Sequence, residues 1–322
     1  MKHASLVLLI ALTAASLTGQ TLSLPDNNPA LGPASTQPFN YGTSWRYLYV
    51  LDAKKLGTQL FKITEIAFAP SHTTLFTASQ FQVRMAHTTM AVTGEGCFDD
   101  FLGSVPIIVY DGPLSWNATK DTWSPIGLQT SFLYNGRQNV AVEIRFRGGS
   151  AGGGSGSRNG VSLRIDSAAL ALVVDPGMSA DPYTTKCGSQ IRGVPKIQLR
   201  YETGQLVYGY ESARIGSRTS IGIRGQRGQQ YQLVASFGQG RLKVGSHTIG
   251  LDLDPLFLLS ATNSAATFHH YNGTFSFSGT GGSVFVIPDM KQLAGTIVYH
   301  AAVTYDNKIT GSTNTLGLMI KP

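Results

Sequence analysis

The 322-residue sequence is poor in charged side chains, in cysteine and in long apolar runs. Charged residues make up 13% of it, well below the ~25% of an average soluble protein. Hydrophobic residues make up 42%, so the composition excludes an intrinsically disordered chain, which combines few apolar residues with high net charge. The lack of a Gly-X-Y repeat excludes collagen, and the lack of charged heptads excludes a coiled coil.

The longest apolar runs fall short of the ~18 residues that a membrane-spanning helix needs, so we expect no membrane span. The N-terminus instead has the layout of a secretory signal: Lys2, a short apolar run over 6–12, and then small residues. The sequence therefore predicts a signal peptide over residues 1–20 and a secreted protein, extracellular or at the cell surface. A buried N-terminal helix is the alternative interpretation.

The chain contains two cysteines, Cys97 and Cys187, each beside a glycine. An exported chain meets an oxidising environment, where a disulfide between them would form and persist. Two free thiols are the alternative. Neither cysteine has a CxxC partner and the histidines form no HExxH pattern, so the sequence predicts no metal site and no cofactor.

The dominant pattern along the chain is an alternation of apolar and polar residues. Phe81, Val83 and Met85 alternate with Gln82 and Arg84, and similar stretches cover 140–146 and 161–165. This period of two is typical of strands with one buried face. Turn signals separate the stretches, notably at 134–136 and in the Gly/Ser tract 148–160, which we interpret as a hairpin tip. The sequence therefore predicts an all-β fold.

Composition divides the predicted mature chain into two β-sandwich domains. Residues 21–37 contain several prolines and little periodicity, which predicts a linker. A jelly-roll-like sandwich is predicted over 38–180, and a turn-rich inter-domain linker over 181–194. An Ig-like or related sandwich is predicted over 195–322, since short strands with regular turns are typical of sandwiches.

The net charge of +7 is concentrated at the start of the second predicted domain. Between positions 186 and 243, ten cations are opposed by two carboxylates. Such a surface suits an extracellular polysaccharide or another surface polyanion, while solvated strand faces are the alternative. Aromatic residues are not interleaved with the arginines, so we expect no specific nucleic-acid binding. The candidate polyanion-binding residues are Arg214, Arg218, Arg224 and Arg227.

Two of the three tryptophans flank a turn-like segment in the first predicted domain. Sugar-binding sandwiches expose aromatic rings for stacking beside a polar group, whereas burial in the core is the alternative for any one ring. The candidate glycan-binding residues are Trp116, Trp123, Tyr134 and Asn117.

The sequence offers no catalytic pattern and predicts no catalytic residue. There is no GxSxG motif, and the tightest carboxylate groups are Asp99 with Asp100 and Asp252 with Asp254. Such pairs could serve a glycosidase or bind Ca²⁺, and both remain alternatives. A Ser/His/Asp triad is defined by geometry, so spacing does not test it.

Residues 109–148 resemble a segment of secreted bacterial surface proteins with tandem β-sandwich domains, which are themselves uncharacterised. The match rests on Phe132, Tyr134, Asn135, Gly136, Asn139, Val140, Glu143 and Ile144. The C-terminal part resembles a terminal β-domain of exported bacterial proteins through Ile287, Pro288, Leu293, Gly295, Tyr299, Ala301 and Asp306. The resemblance implies a sandwich fold and a place outside the cell, and it supplies no catalytic residues.

The first hypothesis for function is a secreted, non-enzymatic surface or extracellular-matrix protein with an adhesive or scaffolding role. The alternative is a carbohydrate-binding module that recognises extracellular glycan. A polysaccharide hydrolase or lyase is the third hypothesis. The sequence leaves the ligand and the oligomeric state open.

Overall fold

The structure is a computed structural model that describes residues 19–35, 39, 44–91, 96–103, 105–151, 160–174, 181–262 and 266–322. The predicted signal peptide lies outside the described residues, apart from Gly19 and Gln20. The predicted tip of the 148–160 tract also lies outside them, over 152–159. The described chain is built almost entirely of antiparallel strands, which confirms the predicted all-β fold.

Two sheets face each other in the first sandwich. Its described helices are α1 (Ala53–Leu56) and α2 (Phe98–Leu102). Its described strands are β1 (Gln20–Leu24), β2 (Ala34–Ser35), β3 (Ser44–Leu51), β4 (Phe61–Phe68), β5 (Thr74–Thr88), β6 (Gly96–Cys97), β7 (Ile107–Ala118), β8 (Ser124–Tyr134), β9 (Asn139–Arg147), β10 (Ser150–Ala151), β11 (Leu163–Val174), β12 (Cys187–Pro195) and β13 (Ile197–Glu202).

One sheet of the first sandwich has the strand order β1-β13-β4-β8. The other has the order β10-β5-β9-β3-β11-β12-β6, with β7 also paired to β5 and β2 to β11. Consecutive strands cross between the two sheets, as from β3 to β4 and back to β5, which is common in β-sandwiches.

The apolar residues that alternate with polar ones along the predicted strands form the core of the first sandwich. Phe81, Val83 and Met85 are buried between the sheets, as their spacing predicts. Phe39 packs between the two layers, with its ring 5.7 Å from Phe68 of one sheet and 5.0 Å from the ring of a β5 phenylalanine in the other. A shared aromatic core therefore holds the sheets together.

The described elements of the second sandwich are β14 (Leu206–Gly209), β15 (Ser212–Arg214), β16 (Arg218–Arg224), β17 (Gln230–Ser236), β18 (Leu242–Val244), β19 (His247–Ile249), α3 (Pro255–Ala261), β20 (Phe268–His269), β21 (Asn272–Thr274), β22 (Thr280–Val286), a 3-10 turn (Lys291–Leu293), β23 (Ile297–Tyr305), β24 (Ile309–Ser312) and β25 (Leu316–Lys321). One of its sheets has the order β14-β16-β22-β20, and another has the order β15-β25-β23-β17-β21, with β24 also paired to β23. The pair β15–β25 is parallel.

Strand pairing corrects both predicted linkers and the domain boundary. The predicted linker 21–37 contains most of β1, and the predicted linker 181–194 contains most of β12. β13, predicted to open the second sandwich, pairs with β1 and β4 of the first. Ile197 and Leu199 alternate along β13 and fill the first core, which explains its placement. Residues 203–205 alone separate β13 from β14.

The two sandwiches meet through apolar and polar contacts. Leu251 and Tyr299 of the second sandwich pack into the same core cluster as the first. The Gln239 side chain accepts a hydrogen bond from the Ile108 amide at 2.9 Å and donates one to the Pro106 carbonyl at 3.2 Å. This interface forms the walls of the clefts described below.

Candidate functional site

Two of the four predicted glycan-binding residues are buried, so that part of the prediction is wrong. Trp116 is 4% exposed and its ring lies 5.1 Å from that of Phe39. Tyr134 is fully buried, and its hydroxyl donates a hydrogen bond to the Gly57 carbonyl at 2.8 Å. Both positions are core positions of their strands, so neither ring can stack on a sugar.

The other two predicted residues form no platform with them. Asn117 is exposed on β7, and Trp123 is half-buried in the turn before β8. The Trp123 indole nitrogen is enclosed and has no hydrogen-bond partner among the described residues. A stacking surface built on the two tryptophans is therefore absent from the described structure.

The four predicted polyanion-binding arginines are exposed, but they form two separate pairs. Arg218 and Arg224 stand at opposite ends of β16, roughly 20 Å apart at the usual strand rise. Arg214 lies near Arg218, since its carbonyl accepts the Ser217 amide at 3.2 Å. Arg227 packs over the exposed Phe277 ring at 3.7 Å. Polyanion binding by these residues stays a prediction.

The predicted disulfide between Cys97 and Cys187 is present. The two residues face each other in the β6–β12 pair, with Cα atoms 3.8 Å apart. The bond anchors the start of β12 beside α2 on the outer face of the larger sheet.

Arginines surround one buried carboxylate on that outer face. Glu143 is fully buried and lies 2.6 Å from Arg46 Nε and 2.5 Å from Arg84 Nε. Burial raises the pKa of Glu143, but the hydrogen bond and charge of Arg84 and the charges of Arg46 and Arg145 outweigh it and hold the pKa below its ordinary value. Burial, followed by the charge of Arg84, lowers the pKa of Arg145 to about 10. This network is structural, since its groups satisfy one another.

The carboxylate pairs noted in the sequence have local structural roles. Asp254 caps α3 by accepting the Phe257 amide at 2.8 Å, and it also accepts the Phe237 amide at 2.7 Å. Asp99 and Asp100 lie in the first turn of α2. Within the described ranges, no three His, Cys, Asp or Glu side chains come together as a metal site would require.

One candidate site is a cleft of about 940 Å³ between the two sandwiches, called here the tyrosine cleft. Its volume lies within the range of small-ligand sites. One wall is the outer face of β14, β16 and β22, and the other is the end of β8 with the turn that follows. The lining residues used below are Tyr208, Tyr210, Gly222, Gly282, Asn135, Arg137, Gln138, His87 and Glu211.

Two tyrosines and two glycines shape the floor of the tyrosine cleft. The Tyr208 ring covers Gly222, which is its register partner on β16, and a Cβ at that glycine would overlap the ring. Gly222 in turn pairs with Gly282 on β22, where a Cβ would meet only open space. Tyr210 is 74% exposed beside them. The sheet therefore offers aromatic rings on a smooth backbone floor.

The turn after β8 supplies polar groups on the opposite wall. The Asn135 side-chain oxygen accepts the amides of Arg137 and Gln138, both at 3.0 Å. Gly136 has φ +71°, which glycine adopts without strain. This confirms the turn predicted at 134–136, from which Arg137 and Gln138 line the cleft.

A hydrogen bond between His87 and Glu211 joins the two walls. His87 Nδ1 lies 2.5 Å from Glu211 Oε1, and His87 Nε2 accepts the Asn135 amide at 3.1 Å. The carboxylate of the cleft is thus engaged with the first sandwich.

Sequence reasoning missed the tyrosine cleft. Its available signal was the Tyr208-Gly-Tyr210 spacing at the end of a strand, together with glycines at 222 and 282. Gly222 pairs with Gly282, which lies 60 positions further along the chain, so spacing alone does not reveal the cleft.

Comparison with known proteins gives little further information. No protein-family model matches the chain, and no curated protein matches it. The similar solved structures include a Salmonella alpha-2-macroglobulin reacted with methylamine, at 11% identity and a TM-score of 0.24. That alignment covers 79% of this chain and 22% of the macroglobulin chain, so this chain spans about a fifth of that protein. A TM-score this low does not establish a shared fold.

None of the helices in the described part of the chain has the length and apolar character needed to cross a bilayer.

Proposed function

We propose that this chain is a secreted, non-enzymatic surface protein with an adhesive role, and that it attaches to extracellular glycan through the tyrosine cleft. The main support for glycan binding is that Tyr208 and Tyr210 line the cleft beside a floor of glycine backbone. The disulfide supports an oxidising compartment, as the signal-like N-terminus does.

The floor suits the flat face of a sugar ring. Tyr208 contacts Gly222 and lines the cleft, so its ring is placed before a ligand arrives. A sugar presents C–H bonds on its flat faces, and aromatic rings bind such faces by stacking. Because the ring is already ordered, stacking costs little conformational entropy.

The opposite wall suits the hydroxyl groups of a sugar. Arg137 can donate hydrogen bonds to a sugar, and so can the Gln138 side-chain nitrogen, while the Gln138 side-chain oxygen already accepts one from Asn135 at 2.7 Å. Their backbone amides are already bonded to Asn135, so the turn is ordered around them. The arrangement gives a sugar stacking on one side and hydrogen bonds on the other.

The cleft supports binding rather than hydrolysis. Glycoside hydrolysis uses two carboxyl groups that flank the scissile bond. Glu211 is the one carboxylate among the described residues that line the cleft, and it is paired with His87.

The test is binding to a glycan array and titration calorimetry with the best oligosaccharide. We expect Tyr208→Ala and Tyr210→Ala each to weaken binding by up to about tenfold, since an aromatic contact contributes about 1 kcal/mol. Neither side chain is in the core, so thermal unfolding should match the parent protein. Phe277→Ala is the matched control, because Phe277 is exposed and lies outside the cleft.

Two results would overturn the proposal. One is a parent protein that binds no glycan on the array. The other is equal binding by the parent protein, the tyrosine variants and the Phe277→Ala control.

A further inference from the structure

A second cleft, of about 630 Å³, lies at the same interface and is called here the cation cleft. Its walls are β4, β8 and the end of β13 on the first sandwich, and β18, β19 and the end of β24 on the second. We infer that the cation cleft binds the acidic groups of the glycan, carboxylate or sulfate, so that the ligand is an anionic polysaccharide. This inference rests on the function proposed above and names its ligand class.

Positive charge exceeds negative charge in the cation cleft. Lys62, Arg241 and Lys243 line it, and Glu202 is the one carboxylate among the described lining residues. Lys62 is 8% exposed and lies 3.0 Å from Glu202, so these two charges neutralise each other. Arg241 and Lys243 are exposed and have no carboxylate partner within the described ranges. Two positive charges therefore remain for a ligand.

Arg241 is held in place rather than free in solvent. Its guanidinium donates a hydrogen bond to the Asp111 carbonyl across the interface. The remaining N–H groups can form paired hydrogen bonds to a carboxylate or a sulfate, which matches the planar fork of the guanidinium. Lys62 is held in the same way, since it donates to the Ser312 carbonyl at 3.3 Å.

The rest of the lining is rich in hydroxyl groups. The described lining residues include Thr64, Thr130, Ser131, Ser246 and Thr248. Hydroxyl side chains donate and accept hydrogen bonds, which suits sugar hydroxyls beside an acidic group. A free phosphate ion would contact the cations alone, whereas an acidic polysaccharide would contact both the cations and the hydroxyl groups.

The two clefts adjoin along one strand. Ser131 lines the cation cleft and Leu133 lines the tyrosine cleft, two residues apart on β8 and roughly 7 Å apart at the usual rise. On the neighbouring segment, Lys62 lines one cleft and Leu60 lines the other. A single glycan chain can therefore contact both clefts, with its rings on the tyrosines and its acidic groups on the cations.

The test compares three polymers: polygalacturonate, dextran sulfate and uncharged dextran. Titration calorimetry at low and moderate salt gives the affinity of each. We expect the parent protein to bind one of the two acidic polymers at least about tenfold more tightly than dextran, since hydrogen bonds to charged groups contribute about 1.5–3 kcal/mol. The double variant Arg241→Gln, Lys243→Gln should lose that preference, and Lys243→Gln alone should reduce it without disturbing the interface.

The control is Lys291→Gln, Lys308→Gln, which removes the same charge from exposed positions outside both clefts. Equal loss of preference in this control, or an unchanged preference in Arg241→Gln, Lys243→Gln, would overturn the inference. So would tighter binding of a single-stranded oligonucleotide than of either acidic polymer.

The two proposals fail in different ways. If acidic polymers bind no better than dextran, but Tyr208→Ala still weakens binding, the anionic ligand is wrong and glycan binding stands. If the tyrosine variants bind every polymer as the parent protein does, glycan binding in the tyrosine cleft is wrong.

Discussion

The Glu143 carboxylate lies 2.6 Å from Arg46 Nε, and neither side chain is more than 4% exposed. Arg84 contacts the second oxygen of the same carboxylate. One buried carboxylate thus pairs with two arginines on the outer face of the larger sheet.

Replacing that carboxylate should destabilise the protein strongly. Glu143→Gln removes the buried counter-charge of Arg46 and Arg84 and leaves only the exposed Asp99, 3.7 Å from Arg46. Breaking a buried pair costs about 3–5 kcal/mol. Urea unfolding measures the loss. Glu65→Gln is the control, because Glu65 lies 3.7 Å from the half-exposed Arg200 and such pairs contribute about 0–1 kcal/mol. Similar losses in both variants would refute a special role for Glu143.

Removing the disulfide should also lower stability. The double variant Cys97→Ser, Cys187→Ser removes a cross-link between residues 90 positions apart. Loop-closure entropy predicts that the free energy of unfolding then falls by about 4 kcal/mol. Denaturant unfolding with and without reductant tests this. The parent protein should lose stability on reduction, while the double variant should not respond. A parent protein insensitive to reductant would contradict the prediction.

His300 should make the protein less stable in acid. It is fully buried, and burial lowers its pKa to about 3, below the ~6.5 of an unfolded chain. Between these values the unfolded chain binds more protons, so the free energy of unfolding should fall as pH drops from about 6.5 towards 3. The slope from this residue is up to about 1.4 kcal/mol per pH unit.

The variant His300→Leu should flatten that slope. Tyr271 and Phe285 surround the ring, and burial raises the pKa of Tyr271, so neither neighbour titrates in this range. Urea midpoints at several acidic pH values give the comparison. His269→Gln is the control, since His269 is exposed. An unchanged slope in His300→Leu would show that other groups dominate.

Trp116 should affect stability and not glycan binding. Trp116→Ala removes a ring packed against Phe39 and Phe68, at an expected cost of about 3–5 kcal/mol. Trp116→Phe keeps most of the packing and should bind glycan as the parent protein does. Selective loss of binding in the folded Trp116→Phe variant would restore the original prediction for this residue.

Gly222 should control the tyrosine cleft. A Cβ there would overlap the Tyr208 ring, so Gly222→Ala should displace the ring and weaken glycan binding several-fold. Gly127→Ala is the control, because a Cβ at that exposed strand position meets nothing. Calorimetry on both variants distinguishes them, and equal affinities would show that the ring position is unimportant.

Local patterns in the sequence predicted the elements well. The alternation at Phe81, Val83 and Met85 predicted a strand and its buried face, and Asn135-Gly136 predicted the turn. These features depend on neighbouring residues, so the sequence displays them directly.

Features that depend on distant pairing could not be predicted. A strand with alternating Ile197 and Leu199 fits either sandwich, and only its pairing with β1 and β4 assigns it to the first. Trp116 suits a core or a sugar site equally well by residue type. The clefts form where two sandwiches meet, so no single segment encodes them.

The pairing of β1 with β13 places Gln20 opposite Tyr201, so the first and last strands of the first sandwich end side by side. A unit whose two ends are neighbours can be inserted into a surface loop of a host protein without stretching the host. It can also be circularly permuted by joining those ends. When the two ends are pulled apart, the hydrogen bonds between β1 and β13 break first, and the aromatic core between the sheets stays packed.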